Sequence, residues 1–358
     1  MTLISVEFAL LWLATAIIYF VFPLKYRWTV LLASSAVFYF SGGIGTGYFI
    51  FFTIAVVYAV ALILDKHNIE LKQLLKDQPE LTRDEKKALK QAFQKKKRII
   101  LSAGLVVCFG FLVFLKYFNF LSGQVFDFLG IFGLDAEAPK HSLALPLGIS
   151  FYTLQATSYI IDVYRGKISA EKNIAKVALF VSFFPQITQG PIGRFNHLAP
   201  QLYEGHKFDF TQAKFGAQLF LWGLIKKLCL AEYMGVIASE VFDNYNKYTG
   251  LIILFGSMVY GVQVYADFSG GMDMIRGVAQ VFGIEMAVNF ERPYFARSVA
   301  EFWRRWHISM GTWFREYVYI PLGGNRCSTF KRYRNIIVVW LVTGFWHGAS
   351  WNFLLWGF

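Results

Sequence analysis

Apolar residues fall in long, nearly uncharged runs, separated by short polar or basic turns. Runs at 3–22, 28–40, 48–64, 99–121 and 143–161 occupy the first part of the chain. Each reads as a helix, and the longest reach the ~20 residues that cross a bilayer core. The first run has a single charge, Glu7, and lacks the basic start and small-residue cleavage site of a secretion signal. It is expected to stay as a first membrane helix. A basic turn with Pro23, Lys25 and Arg27 follows, and a Gly-rich turn occupies 41–47. The stretch 65–98 is the one clearly water-facing region. It reads as one or two amphipathic helices broken at Pro79, and Thr82 stands three residues before Glu85 in a capping-box pattern. Lys95, Lys96, Lys97 and Arg98 then meet the apolar run from Ile99. Positive residues beside a span favour the cytoplasm. That places 65–98 inside and the N-terminus outside, and the acidic stretch 127–141 fits an external loop.

Beyond 161 simple hydropathy fails. The segment 174–187 is apolar but short, and runs into Pro185, Gly190 and Pro191. Broken backbone at membrane depth is tolerated only inside protein or along a wet cavity. The segment is therefore expected in a re-entrant or interfacial layer. The run 213–241 carries Lys226 and Lys227 in its middle, which predicts a bend or a partly interfacial helix. Runs at 250–267 and 270–283 follow, with Gly270 and Gly271 permitting a tight break. The basic stretch 292–334 contains Trp303, Trp306 and Trp313, rings that suit a membrane–water interface, and is placed on the cytoplasmic side. The last run, 335–358, then starts inside. It puts His347 about 18 Å along its helix. The abrupt apolar stop at Phe358 reads as a chain cut short.

Composition sharpens this picture. Of 358 residues, 56% are hydrophobic, and the 16% that are charged fall below the ~25% of soluble domains. Mean hydropathy is +0.44. The expected architecture is an all-α polytopic membrane protein, a single transmembrane domain over 1–358 with the basic amphipathic loop 65–98 inside it. Barrel strands are too short for these runs. The net charge of +12 fits cytoplasmic loops and anionic headgroups. No nucleic-acid module is visible. Cys108, Cys229 and Cys327 form no CxxC or metal-ligand cluster, and Cys108 and Cys229 are expected as small core residues. No bound metal or cofactor is expected. Nucleophile-elbow, zinc-protease, nucleotide-loop and dinucleotide patterns are absent.

His347 is the only ionisable side chain in 335–358. An ionisable group at such depth is costly, which makes it a functional candidate. On a continuous helix Thr343, Ser350 and Trp351 would share its face, with Trp346 and Trp351 as flat walls. His307 stands in an aromatic, arginine-rich segment and is read as a supporting group. Asp267 ends an apolar run, with Arg304, Arg305 and Arg276 as candidate partners. A buried salt bridge is at least as good a reading for it as catalysis. Gln189, Arg194, Arg305, Trp306 and Asn325 are candidate polar or aromatic liners of a substrate tunnel.

RRWHIS, GTWFREYVYIPLGGNR and GFWHGASWNFLLWG closely resemble the membrane-bound O-acyltransferase (MBOAT) family, in the branch with the alginate O-acetyltransferase membrane subunit. PLGISFYTLQATSYIIDVYRG, FFPQITQGPIGRF and YADFSGGMDMIRGVAQVFGI are similar to the same branch. The resemblance covers at least 145–358. It implies a ring of helices around a central tunnel. It implies transfer of an acyl group, acetyl first, from a cytoplasmic-side donor to hydroxyls of an extracellular or cell-wall polysaccharide. The donor would be a co-substrate, with acetyl-CoA the candidate. The family's catalytic histidine falls on His347 and its second marked position on His307. Implied partners are the polysaccharide acceptor, the lipid bilayer and a secreted or membrane-anchored acetyl-transfer protein. The implied location is a bacterial plasma membrane. The nearest enzyme alternative is D-alanyl transfer to teichoic acid with an acyl carrier protein. A proton-coupled transporter using Asp267 and His347, or a non-catalytic scaffold, are the readings from other classes.

Overall fold

Uncharged apolar runs satisfy their own backbone only as helices, and the computed structural model is built from them. It describes residues 1–358 apart from Ile44, Thr46, Leu134 and Asp135. Parts of the expected 41–47 turn and 127–141 loop therefore lie outside the described residues. Fourteen α-helices are described: α1 (Val6–Val21), α2 (Arg27–Phe40), α3 (Gly47–Asp77), α4 (Arg83–Gly130), α5 (Ile149–Tyr164), α6 (Ile174–Ser182), α7 (Phe195–Tyr203), α8 (Phe210–Ile225), α9 (Glu232–Asp243), α10 (Gly250–Val281), α11 (Val299–Arg305), α12 (Ile308–Phe314), α13 (Thr329–His347) and α14 (Trp351–Gly357). Among the described residues there is no strand, only one isolated antiparallel bridge between Phe290 and Trp306. Helices α3, α4 and α10 are long and apolar enough to cross a bilayer. The chain divides into two compact units. One is Met1–Gly42, Ser182–Gly193 and His197–Ser309; the other is Gly43–Val181, Arg194–Asn196 and Met310–Phe358.

In the second unit, the water-facing stretch is helical on both sides of a break at Pro79, as expected. It is the polar ends of α3 and α4, joined by a short turn at Pro79. Thr82 and Glu85 close the expected capping box: Thr82 Oγ1 accepts from Glu85 N at 3.3 Å, and Glu85 Oε2 from Thr82 N at 2.8 Å. The helix that starts there runs for 48 residues, about 72 Å at 1.5 Å per residue. It reaches Gly130, so the first residues of the expected external loop are helical. The run 143–161 is helical only from Ile149. Its helix α5 is buried on nearly every side, including Thr153, Gln155, Thr157, Ser158 and Asp162. Those polar groups are tolerated because they are bonded. Thr157 Oγ1 donates to Thr153 O at 2.7 Å, Ser158 Oγ to Gln155 O at 2.7 Å, and Gln155 to Phe180 O.

In the first unit, α1 and α2 meet over an aromatic core. Phe8, Phe38 and Phe184 have ring centroids 5.6–6.3 Å apart, and Tyr19 packs edge-on against Phe282 at 5.3 Å. The segment 183–193 has no helix, as expected, and Phe183, Phe184, Ile187 and Ile192 bury it. The expected break at Gly270 and Gly271 does not occur: α10 is one helix of 32 residues. The glycines serve close approach instead. A Cβ on Gly223 would lie 2.4 Å from Gly270 O, and one on Gly277 2.5 Å from Gly216 O. Two glycines, seven residues apart on each of α8 and α10, let the backbones touch. At Lys226–Ala231 the helix widens into a π-turn. Lys226 there reaches Asp273 at 2.5 Å and Ser269 Oγ at 3.1 Å, and Lys227 reaches Asp267. Mid-run lysines thus mark a paired seam against α10. Cys108 is buried as expected, whereas Cys229 is exposed, because it lies outward on the π-turn.

Candidate active site

His347 is the last residue of α13. Its Nδ1 lies 2.8 Å from Thr343 O, one turn back. A carbonyl can only accept, so Nδ1 carries the proton and the Nε2 lone pair is left to act as a base. The ring sits among aromatic groups: Trp346 at 5.1 Å, Trp356 at 5.2 Å and Phe353 stacked at 6.4 Å. Beyond it the backbone leaves the helix. Gly348 is extended, and α14 starts at Trp351 and packs back along α13. Gly344, Gly348 and Gly357 allow this: a Cβ on Gly344 would lie 2.3 Å from Phe353 O, and one on Gly348 2.1 Å from the Phe353 ring.

This break corrects the expected continuous helix. Thr343 does meet His347, but Ser350 and Trp351 are not on its helix face. Ser350 precedes α14, and Trp351 donates its Nε1 proton to Gln124 Oε1 at 2.8 Å. Trp346 stays beside the histidine. It is buried, with its ring edge-on to Phe151 and Nε1 donating to Ser150 O at 3.4 Å. Asn325 is exposed and accepts from Tyr319 at 2.6 Å. Arg194 pairs with Glu316 at 3.2 Å and lies 4.4 Å over the Tyr317 ring, whose hydroxyl donates to Asp162 at 2.7 Å.

The hydropathy reading passed over one residue here. Lys116 is the only charged side chain in the apolar run 99–126, the same signal that singled out His347. Its ammonium donates to Trp346 O, and lies 3.4 Å from both His347 O and Ser150 Oγ.

In the first unit His307 is buried and takes a left-handed backbone, with φ of 46°. Two short backbone segments clasp it. Glu291 N donates to Arg305 O at 3.0 Å, Ile308 N to Asn289 O at 3.1 Å, and Ser309 N to Asn289 Oδ1 at 2.8 Å. Phe268 packs edge-on to its ring at 4.8 Å, and Trp306 stacks with Phe302 and meets Phe290. Strained backbone of this kind is concentrated at functional positions.

Arg305 pairs with Glu301 at 2.6 Å. The Arg297 backbone N–H, and then the Arg305 charge, hold the Glu301 carboxyl below the usual carboxylate range. Arg305 also lines a cleft of about 490 Å³ with Lys226, Arg276, Arg292, Tyr265 and Asp273. Asp267 is elsewhere. It pairs with Lys227 rather than with Arg276, Arg304 or Arg305, and lines a second cleft with Glu232 and Asp243. The π-turn explains the difference, because it aims Lys227 at α10. Gln189 lies against Gly271, where a Cβ would meet its amide at 2.0 Å. No group of three or more His, Cys, Asp or Glu among the described residues could hold a metal.

The family profile for membrane-bound O-acyltransferases matches residues 168–358, just over half of the chain, and includes His307 and His347. The chain belongs to the membrane-bound O-acyltransferase family. It is 43% identical over 259 residues to a protein of Azotobacter vinelandii named "Probable alginate O-acetylase AlgI", covering 72% of this chain and 51% of that one. It is 36% identical to the peptidoglycan O-acetyltransferase of Helicobacter pylori, over 73% of this chain and 54% of that protein. A teichoic acid D-alanyltransferase of Streptococcus thermophilus is 29% identical, over 59% of this chain and 54% of the relative. The chain spans about half the length of the curated relatives it matches. Family membership and the three long apolar helices together make this MBOAT chain a membrane protein.

Proposed function

We propose that this chain is the membrane part of an O-acyltransferase that moves an acetyl group onto hydroxyls of a cell-surface polysaccharide. The carrying observation is His347: a histidine with Nδ1 bonded to its own helix and Nε2 left as a lone pair, walled by aromatic rings. The names of the alginate and peptidoglycan O-acetylating relatives support the acyl group and the acceptor class.

In this reading Nε2 takes the proton of an acceptor hydroxyl. The hydroxyl oxygen attacks the carbonyl carbon of an acetyl thioester, with acetyl-CoA as the co-substrate. The new C–O bond forms, the C–S bond breaks, and the imidazolium returns its proton to the leaving thiolate. The ring is exposed, with Trp346, Phe353 and Trp356 as its apolar border, so an acceptor hydroxyl can reach Nε2. The family resemblance gives His307 a supporting role, and its left-handed turn fixes the ring against Phe268. The donor enters from the cytoplasmic face, and a secreted or membrane-anchored protein completes delivery to the polymer.

The test is the ester-linked acetyl content of surface polysaccharide in cells expressing the wild-type chain or His347→Ala, at equal membrane levels. A general base supplies roughly 10²–10⁴-fold, so the variant should fall to background. Unchanged acetyl would remove His347 from the mechanism. Ester-linked D-alanine is measured in the same samples, because of the D-alanyltransferase relatives. Its loss in place of acetyl would reassign the acyl group.

A further inference from the structure

Lys116 has no part in the chemistry above, yet it is a lysine in the middle of an apolar helix. Such a group is costly to bury unless its protons are all accepted. Here two of the three acceptors lie at one end of one helix. The ammonium bonds to Trp346 O and lies 3.4 Å from His347 O, with Ser150 Oγ at 3.4 Å on its other side. The neighbouring Tyr117 hydroxyl donates to the same Trp346 carbonyl at 3.2 Å.

Trp346 and His347 are the last two residues of α13. The terminal carbonyls of a helix have no partner within it, and they carry the negative end of its dipole. With α14 turned back and no helix continuing beyond Gly348, something else must satisfy them. Lys116 and Tyr117 supply that cap from α4. The ammonium also lies 5.5 Å from the Trp346 ring, so both residues flanking the helix end are tied to α4.

We propose that Lys116 is a positioning residue for His347. It pins the end of α13 so that the imidazole keeps Nδ1 on Thr343 O and Nε2 free for the acceptor. This rests on His347 being the base, as proposed above. Lys116 neither touches substrate nor moves a proton, since its donors are committed to the helix end and Ser150.

The experiment compares Lys116→Met and Lys116→Arg with wild type in cells whose own copy is deleted, with membrane levels measured. Methionine keeps the length and apolar fit but loses the charge and the donors. Groups that hold a metal-binding histidine from behind are typically worth about 10–100-fold, and the same order is expected for a group that holds a catalytic histidine. Polymer acetylation should fall by about that factor in Lys116→Met and recover at least tenfold (roughly) in Lys116→Arg. In the Lys116→Met/His347→Ala double variant, activity should be no lower than in His347→Ala alone.

A second readout is independent of the polymer. The rate at which diethyl pyrocarbonate modifies His347, followed by peptide mass spectrometry at alkaline pH, should change in Lys116→Met and stay near wild type in Lys116→Arg. Full acetylation by Lys116→Met would overturn the proposal. So would an unchanged His347 modification rate, or loss of membrane level in both variants, which would make Lys116 a folding anchor only. If wild type acetylates nothing but the modification rate responds as described, the acyltransferase reading fails and the positioning role stands.

Discussion

His307 is held at φ 46° between two backbone hydrogen bonds from the 289–291 segment. For an L-residue the left-handed region costs roughly 1–2 kcal/mol, and His and Asn tolerate it better than most. His307→Asn should therefore purify in detergent with a thermal midpoint close to wild type. His307→Val, β-branched, should melt clearly lower. Equal midpoints for the two would show that the turn relaxes without histidine. The sequence flagged His307 as a motif residue but could not reveal its turn, because a left-handed histidine leaves no compositional trace. Lys116 was the opposite case. Its signal was as plain as that of His347, a lone charge in an apolar run, and the reading of 99–121 as an ordinary span hid it.

Among the elements, the long runs of α3, α4 and α10 were legible because length, apolar pattern and the Thr82–Glu85 cap all agree. The Gly270–Gly271 pair was misread. Gly270 and Gly271 have the composition of a break, but in a bundle the lack of a side chain also lets helices touch, and α8 supplies matching glycines at 216 and 223. Gly223→Ala would place a methyl 2.4 Å from Gly270 O. Overpacking of this kind costs about 1–3 kcal/mol. Gly110→Ala on α4 meets nothing within 4 Å and should gain up to about 1 kcal/mol of helix propensity. Thermal unfolding of the two variants should therefore move in opposite directions. A neutral Gly223→Ala would mean that α8 and α10 do not pack at this distance. Helix α5 was placed several residues too early, because its all-round burial removes the polar face that would mark its start.

Across the whole molecule, apolar side chains are turned outward where a water-soluble protein would carry charge. Val6, Leu10, Leu13, Ile17 and Val21 of α1, and Leu251, Leu254, Phe255 and Met258 of α10, are all exposed. An apolar surface of this extent is suited to lipid. One cluster of charge lies on the far ends of α3 and α4, where Lys95, Lys96, Lys97 and Arg98 precede the apolar part of α4. Positive residues are retained on the cytoplasmic side. An alkaline phosphatase reporter inserted at the Pro79 turn should be inactive in bacterial cells, and a fluorescent protein at the same point should fluoresce. An active phosphatase would invert the sidedness used for the donor. The membrane character was thus readable from composition. The division into two compact units was not, because each unit draws its pieces from distant parts of the chain.

The turn-back after His347 has a mechanical consequence. The imidazole is borne on the tip of a rod rather than along its shaft, so its aim depends on the rod's length. One residue added within α13 would swing the ring about 100° around the axis and advance it 1.5 Å, even if every helix stayed intact. One residue added in the Gly348–Ser350 bend would leave the ring's aim alone and be absorbed where α14 begins. Tolerance of length change should therefore switch abruptly at His347, with the segment before it behaving as a ruler and the segment after it as slack.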